Sequence, residues 1–228
     1  MEKQKFLGNI LNENQKVLSL MGPSGTGKSY SADFVQKYFG YKIAKQITTR
    51  ESRPDDKHYT YMSKEEFIQL EQEGKILGLF AGDRATLQGN GYGYLKKDLN
   101  NQLNVDKKII LFPSAYELLQ PNFEENYGTT DKIGLGFKDS QSVLHRALQC
   151  NKKFSESELM SRIETATTLT RIMEEYAKKG DKTFTLIYSD AGSQDLYENK
   201  TIQLQKIATS IGYNIKSLKN NLDDYICR

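Results

Sequence analysis

Residues 16–29 read Lys-Val-Leu-Ser-Leu-Met-Gly-Pro-Ser-Gly-Thr-Gly-Lys-Ser, a short apolar run followed by a glycine-rich turn. The turn, residues 22–29, fits the pattern Gly-x-x-x-x-Gly-Lys-Ser/Thr without a mismatch. Glycines let a backbone curl until its N–H groups face an anion, and a helix that begins near Lys28 adds its positive end. The preceding strand and the amphipathic pattern over 28–38 supply the context that the motif requires. We therefore predict a phosphate-binding loop at 22–29 for a nucleoside triphosphate, with ATP as the expected nucleotide.

Two side chains of the phosphate-binding loop are expected to act on the triphosphate. Lys28 can reach the β- and γ-phosphates as a catalytic residue, and Ser29 offers its hydroxyl to Mg²⁺. Two cysteines and two histidines do not make another metal site. The predicted nucleotide-binding set is Gly22, Ser24, Gly25, Thr26, Gly27, Lys28, Ser29 and Tyr30.

The rest of the chain alternates strand-like and helix-like stretches. This alternation predicts an α/β fold, a P-loop core with a largely parallel sheet. The predicted strands are 16–20, 41–48, 59–62, 75–80, 107–112, 132–137 and 183–188, and the predicted helices are 28–38, 64–73, 139–149, 155–178, 193–211 and, more weakly, 215–226.

One interval, 49–100, differs from its surroundings, because short strands, aromatic residues and glycines crowd there with one helix. We predict that it is a small inserted subdomain, followed by a helical lid over 141–179 whose polar stretch 150–154 is mobile. The remaining core of this single domain is 1–48, 101–140 and 180–228.

Composition excludes several classes of protein. The chain has 228 residues with 32 Lys+Arg and 29 Asp+Glu, a formal net charge of +3, which is unlike a protein that coats nucleic acid. No apolar stretch approaches the roughly 18–20 residues that span a bilayer, and the N-terminus lacks a signal-peptide core. We expect a cytoplasmic protein without a nucleic-acid or membrane partner.

A second polar cluster follows the strand predicted at 41–48. Arg50 and Arg53 lie three residues apart, close in sequence to Tyr59, and Tyr92 and Tyr94 follow later. Two guanidinium groups with tyrosine hydroxyls can hold a phosphate monoester through charge-assisted hydrogen bonds. From the residues alone, the alternative that these arginines are solvated stays open.

The order of these motifs resembles the guanylate kinase family, over residues 16–190. Besides the phosphate-binding loop, it is carried by Thr48-Thr49-Arg50-x-x-Arg53-Pro54, Tyr59-Thr60-Tyr61-Met62-Ser63-x-x-x-Phe67, Gly74-Lys75-Ile76-Leu77 and Tyr92-Gly93. The resemblance implies a P-loop core, an acceptor-binding subdomain and a lid, and transfer of the ATP γ-phosphoryl to a nucleoside monophosphate with Mg²⁺. The acceptor-binding residues that it implies are Arg50, Arg53, Tyr59, Tyr92 and Tyr94.

The sequence departs from the family at positions that matter for chemistry. Gly78 stands where the family has a glutamate that reads guanine, and Tyr94 stands where it has threonine or serine. The family's Asp-x-Asp is missing from 111–115. A site that loses buried hydrogen-bonding groups loses discrimination. The acceptor therefore stays open between GMP or dGMP and a modified nucleotide.

The predicted lid is partly like that of the family. Ser155-Glu156-Ser157-Glu158-Leu159 leads to Arg162, and Arg146 lies on the preceding helix. The resemblance implies that both arginines are catalytic and stabilise the transferred phosphoryl group, whereas on the residues alone they can be helix-surface charges.

Two other functions remain open at this stage. The chain can be an inactive guanylate-kinase-like protein that binds a nucleotide or a peptide, since the Asp-x-Asp is missing. It can also be a kinase of a non-nucleotide phosphate ester, since the phosphate ligands are kept and the base contacts are not. The tail 212–228 leaves a homodimer contact open.

Overall fold

The computed structural model describes residues 11, 14–52, 58–79, 89–149, 154–189, 196–214 and 225–226. Nine strands are described: β1 (Lys16–Met21), β2 (Lys42–Ile43), β3 (Gln46–Thr48), β4 (Tyr59–Tyr61), β5 (Ile76–Leu79), β6 (Tyr92–Leu95), β7 (Lys108–Leu111), β8 (Asp131–Phe137) and β9 (Phe184–Ser189). The described α-helices are α1 (Lys28–Phe39), α2 (Lys64–Gln72), α3 (Lys96–Val105), α4 (Phe123–Tyr127), α5 (Ser140–Gln149), α6 (Glu156–Ala177) and α7 (Leu196–Ser210), with a 3₁₀ helix at Ala115–Leu119.

The larger sheet has five strands in the order β2-β7-β1-β8-β9. β1 pairs with β7 in parallel, with Val17 opposite Ile109, and β8 pairs with β9 in parallel. Val17, Leu18, Leu20 and Met21 have no exposed surface, as expected for a parallel strand that is covered on both faces. The α/β fold with a mostly parallel central sheet is confirmed.

A second, four-stranded sheet has the order β4-β3-β6-β5. β3 is parallel to β4 and antiparallel to β6, and β5 is antiparallel to β6. Ile47, Phe67 and Ile76 form its buried core. The prediction of a single strand over 41–48 is wrong, because β2 joins the larger sheet while β3 joins this one. The predicted acceptor-binding role of 49–100 stays a prediction.

The chain divides into two compact units. The first comprises residues 1–19 and 41–130, and therefore holds the four-stranded sheet. The second comprises residues 20–40 and 131–228, and therefore holds the phosphate-binding loop, α1 and the helices after β8. Among the described residues, no helix is long and apolar enough to cross a membrane.

Two glycines in β8 let α6 lie directly on the strand. A Cβ atom at Gly134 would lie 2.8 Å from Met173 Sδ, and one at Gly136 would lie 2.9 Å from Thr170 Cγ2. The Phe137 amide also donates to Thr170 Oγ1 at 3.3 Å. The C-terminal half of α6 is thus packed on the sheet, whereas the lid over 141–179 stays a prediction.

The other predicted elements are confirmed to within a few residues where they lie among the described ones. Strand β6, helices α3 and α4 and the 3₁₀ helix were not predicted. The weak helix over 215–226 and the stretch 150–154 fall mostly outside the described residues.

Candidate nucleotide-binding and acceptor sites

The phosphate-binding loop turns immediately after β1, where the backbone permits only glycine. Gly22 has φ +140°, and a Cβ atom there would lie 2.1 Å from the Leu135 carbonyl oxygen. Gly27, with φ +87°, directly precedes the first residue of α1, so the loop leads into a helix N-terminus. Backbone N–H groups at such a turn form an anion-binding concavity to which the helix adds positive charge.

Lys28 places its ammonium group back over the loop. Its Nζ donates to the carbonyl oxygens of Gly22 at 2.7 Å and Pro23 at 2.8 Å. Burial lowers the pKa of Lys28 to about 8. Lys28 therefore loses its positive charge as the pH rises through about 8.

This pKa predicts a pH-dependent affinity for nucleotide. An anionic phosphate favours the charged lysine, so below about pH 8 Lys28 is already protonated and adds no pH dependence. Above about pH 8 the proton must be taken up on binding, and the association constant should fall by up to about tenfold per pH unit. Calorimetric titration with ADP from about pH 7 to 9.5 measures this slope, and an association constant that is flat across this range would contradict it.

Two side chains from other helices contact the outer face of the loop. Arg146 on α5 donates from Nε to the Gly25 carbonyl oxygen at 3.2 Å. Gln203 on α7 donates from Nε2 to the Thr26 carbonyl oxygen at 3.1 Å and to Ser31 Oγ at 2.9 Å. Arg146 therefore lies at the loop, while its catalytic role stays a prediction, and the contact from Gln203 was not predicted.

Arg162 lies near the start of α6. Ser155 and Glu158 form a capping box that begins this helix. Arg162 Cζ lies 4.2 Å from the centroid of the Phe154 ring, which is a cation–π contact. The catalytic role of Arg162 stays a prediction.

The four-stranded sheet gathers an arginine and aromatic rings. Arg50 follows β3, and its Cζ lies 4.6 Å from the ring centroid of Tyr59 and 5.8 Å from that of Tyr61. The Tyr59 and Tyr92 rings are 6.5 Å apart. Arg50 is 8% exposed, so it is a largely buried cation. The structure thus brings together Arg50, Tyr59 and Tyr92 of the predicted acceptor set.

Two threonines fix the backbone that carries Arg50. Thr48 Oγ1 donates to the Gly91 carbonyl at 2.9 Å, and Thr49 Oγ1 accepts from the Gly91 amide at 2.8 Å. The Arg50 amide in turn donates to Thr48 Oγ1 at 3.3 Å. The segment before Tyr92 and the end of β3 are therefore locked side by side. Arg53 lies outside the described residues.

Comparison with known proteins gives a consistent result. No family model matches the sequence. The chain is 29% identical over 167 residues to a guanylate kinase of Rhodopirellula baltica, covering 71% of this chain and 77% of that protein. It is 25% identical over 161 residues to that of Thermotoga maritima, covering 69% and 74%. The crystal structure of guanylate kinase from Anaplasma phagocytophilum superposes with a TM-score of 0.55 at 19% identity, covering 89% of this chain and 87% of that one.

The chain is thus similar to guanylate kinases in both sequence and fold. The structural match shows the shared fold, and the sequence matches extend over about 70% of the chain.

Gly78, which replaces the family's glutamate, has no room for a side chain. Its φ is +133°, and a Cβ atom there would lie 2.6 Å from Gly93 Cα and 2.7 Å from the Tyr92 carbonyl oxygen. The two glycines face each other across β5 and β6. A glutamate could not be placed at position 78 without moving main-chain atoms of β6.

Tyr94 differs from its predicted place among the acceptor ligands. Its side chain is 1% exposed, and its hydroxyl accepts from the Phe112 amide at 2.6 Å. Gln46 Nε2 donates to the Phe112 carbonyl at 3.2 Å. Burial raises the pKa of Tyr94 far above its usual value. Tyr94 is therefore a core residue that joins β6 to the segment after β7, and its predicted place among the acceptor ligands is wrong because its side chain is buried.

Tyr94→Phe tests this placement. The change leaves a buried amide without its acceptor, so we expect the free energy of unfolding to fall by about 1–3 kcal/mol. Urea unfolding measures the loss, and hydrogen exchange at the Phe112 amide should accelerate. Tyr188→Phe is the control, since the exposed Tyr188 hydroxyl bonds only at the surface, to Glu174. Equal stability of the two variants would contradict the role of Tyr94.

A buried carboxyl group does follow β7, although not at the family's position. Glu117 is 7% exposed; it accepts from the Ser114 amide at 2.7 Å and from the Tyr127 hydroxyl. Burial raises the pKa of Glu117 to about 7 despite these hydrogen bonds. One carboxylate oxygen caps the start of the 3₁₀ helix and the other accepts from Tyr127 of α4, so Glu117 ties these two short helices together.

Within the described residues, no group of three or more His, Cys, Asp or Glu side chains could hold a metal ion. Ser29, the predicted Mg²⁺ ligand, is exposed at the start of α1. A hydroxyl beside a phosphate-binding loop suits a hard cation that takes its other ligands from phosphates and water. The residues present therefore fit Mg²⁺ bound with a nucleotide.

Proposed function

We propose that this protein is an ATP-dependent nucleoside monophosphate kinase. The observation that carries the proposal is the complete phosphate-binding loop, with Lys28 folded over it and Arg146 against it. A second set of phosphate-binding groups, Arg50, Tyr59 and Tyr92, supplies an acceptor site. The names of the relatives agree with this class of reaction, and we assign the acceptor site to the subdomain 49–100.

The phosphate-binding loop is the proposed binding site of ATP, the phosphoryl donor. When bound, ATP supplies the γ-phosphoryl group, and Mg²⁺ beside Ser29 supplies positive charge at the phosphates. Lys28 exchanges its contacts with the Gly22 and Pro23 carbonyls for contacts with phosphate oxygens. Arg146 and Arg162 are proposed to add positive charge where negative charge spreads in the transition state.

Transfer needs no strong base. An oxygen of the acceptor phosphate attacks the γ-phosphorus, the bond from that phosphorus to the β–γ bridging oxygen breaks, and ADP leaves. A phosphate monoester has its second pKa near 6, so the attacking oxygen is already ionised at neutral pH. The missing Asp-x-Asp at 111–115 therefore removes no obligatory proton acceptor.

The residues of this site account for binding of the acceptor's phosphate better than for recognition of its base. Arg50 offers a planar pair of donors that matches a phosphate, and Tyr59 and Tyr92 lie close to it. Position 78 contributes no base-reading group, and Tyr94 is buried. We therefore propose GMP, dGMP or a modified nucleotide as acceptor, without strong preference for guanine.

The test is an acceptor panel. The purified protein is incubated with ATP, Mg²⁺ and a series of ribo- and deoxynucleoside monophosphates, and ADP formation and product mass are followed. Turnover of one or more acceptors supports the proposal and identifies the base. GMP turnover at ordinary kinase rates, with other bases rejected, would refute the loss of guanine preference.

A second candidate rests on the missing Asp-x-Asp. A protein that binds nucleotide without transferring phosphate would bind ATP in calorimetry and turn over no nucleotide in the panel. A kinase of a non-nucleotide phosphate ester would give the same panel result, but would form ADP with a sugar phosphate as acceptor. The presence of Lys28 in the loop favours phosphoryl transfer over nucleotide binding alone.

A further inference from the structure

Gln203 is the buried amide that contacts the phosphate-binding loop from α7. It is 9% exposed, and its Nε2 bridges the Thr26 carbonyl and Ser31 Oγ at 3.1 and 2.9 Å. A Cβ atom at Gly27 would lie 3.0 Å from the same Nε2. The amide therefore fills the space behind the peptide that joins Thr26 to Gly27.

Because that peptide is planar, the contact from Gln203 also sets the direction of the Gly27 N–H group. A trans peptide is planar, and its C=O and N–H groups point in opposite directions. Holding the Thr26 carbonyl from one side therefore aims the Gly27 N–H toward the other side. Arg146 acts in the same way on the next peptide back, because it holds the Gly25 carbonyl and so aims the Thr26 N–H.

Glycine makes this orientation dependent on an outside contact. Gly25 and Gly27 both have positive φ, at +91° and +87°, and glycine loses more conformational freedom on folding than any other residue. The glycines of the loop therefore allow the peptide between Thr26 and Gly27 to rotate into other orientations. A neutral amide that donates two hydrogen bonds, one to Thr26 and one to Ser31, restricts that rotation without adding charge.

We propose that Gln203 is a positioning residue for nucleotide binding, which orients the Gly27 N–H group toward the phosphates through the Thr26 carbonyl. The inference rests on the proposed binding of nucleotide by the loop. It adds a requirement that the loop motif does not contain, an amide donor from the helix over 196–210. Glutamate is nearly isosteric with glutamine, but it would place a carboxylate oxygen against the Thr26 carbonyl.

The experiment compares Gln203→Glu and Gln203→Leu with the wild type and with Gln205→Leu. Gln205 lies on the same helix, so its variant controls for the same substitution away from the loop. Binding of ADP and of inorganic tripolyphosphate is measured by calorimetry, and the free energy of unfolding by urea. We expect both Gln203 variants to bind each ligand about tenfold more weakly, with Gln203→Glu the weaker binder, and Gln205→Leu to bind as the wild type.

The possible results separate the two proposals. A wild type that binds neither ligand refutes nucleotide binding by the loop, and the positioning role with it. A wild type that binds, with both folded Gln203 variants binding equally well, refutes the positioning role alone, even if the variants are less stable. If Gln203→Glu does not fold, Gln203→Leu, which introduces no charge, decides the question.

Discussion

Lys28→Ala is expected to lower phosphoryl transfer by on the order of 1,000-fold. The side chain is the only loop cation, and charge neutralisation at the transferred group supplies most of the catalysis in this class of reaction. The fold should survive, because the change removes a buried charge whose pKa is already lowered to about 8. Steady-state rates with saturating acceptor measure the loss, and thermal unfolding checks the fold.

The matched control is Lys206→Ala, an exposed lysine on α7. It should leave the rate unchanged. A Lys28→Ala enzyme that is folded and as fast as the wild type would remove the phosphate-binding loop from the mechanism.

Arg50→Ala is expected to lower kcat/KM for the acceptor by about 100-fold, mainly through a higher acceptor KM. A charge-assisted hydrogen bond is worth about 1.5–3 kcal/mol, and a phosphate pairs with the guanidinium through two of them. The KM for ATP should change little, because Arg50 is not among the residues proposed to bind ATP. Initial rates with each substrate varied in turn give the two values.

Arg50→Lys separates charge from geometry. Lysine keeps the positive charge but not the planar fork, so we expect it to recover only part of the lost activity. Arg171→Ala, an exposed change on α6, serves as the control for loss of an arginine. An Arg50→Ala enzyme that keeps its acceptor KM would place the acceptor elsewhere in the molecule.

The parts of the fold that the sequence predicts are those with a strong local signal. The phosphate-binding loop is a contiguous pattern and β1 is a dense apolar run, so each is visible without tertiary information. Helix α3 was missed because its asparagine-rich sequence has low helix propensity. Its buried side chains are Leu99 and Leu103, a single i, i+4 pair.

Contacts between distant parts of the chain account for the rest. Gln203 lies 177 residues from Thr26, and no motif marks an isolated glutamine on a helix as a partner of the loop. Tyr94 was placed by resemblance among the acceptor ligands, but its burial is decided by the segment after β7, whose Phe112 amide it accepts. The proximity of Arg50, Tyr59 and Tyr92 could be predicted because they lie in or beside strands that pair in one small sheet, whereas their role in binding an acceptor stays a prediction.

The glycine pair across β5 and β6 constrains which residues positions 78 and 93 can carry. Once the two backbones have closed together at Gly78 and Gly93, a single substitution to glutamate meets main-chain atoms at 2.6 and 2.7 Å rather than a movable side chain. A glutamate at position 78 would therefore need a second change that moves β5 and β6 apart. Selection for a sharper base preference must recruit another side chain, and so must laboratory evolution.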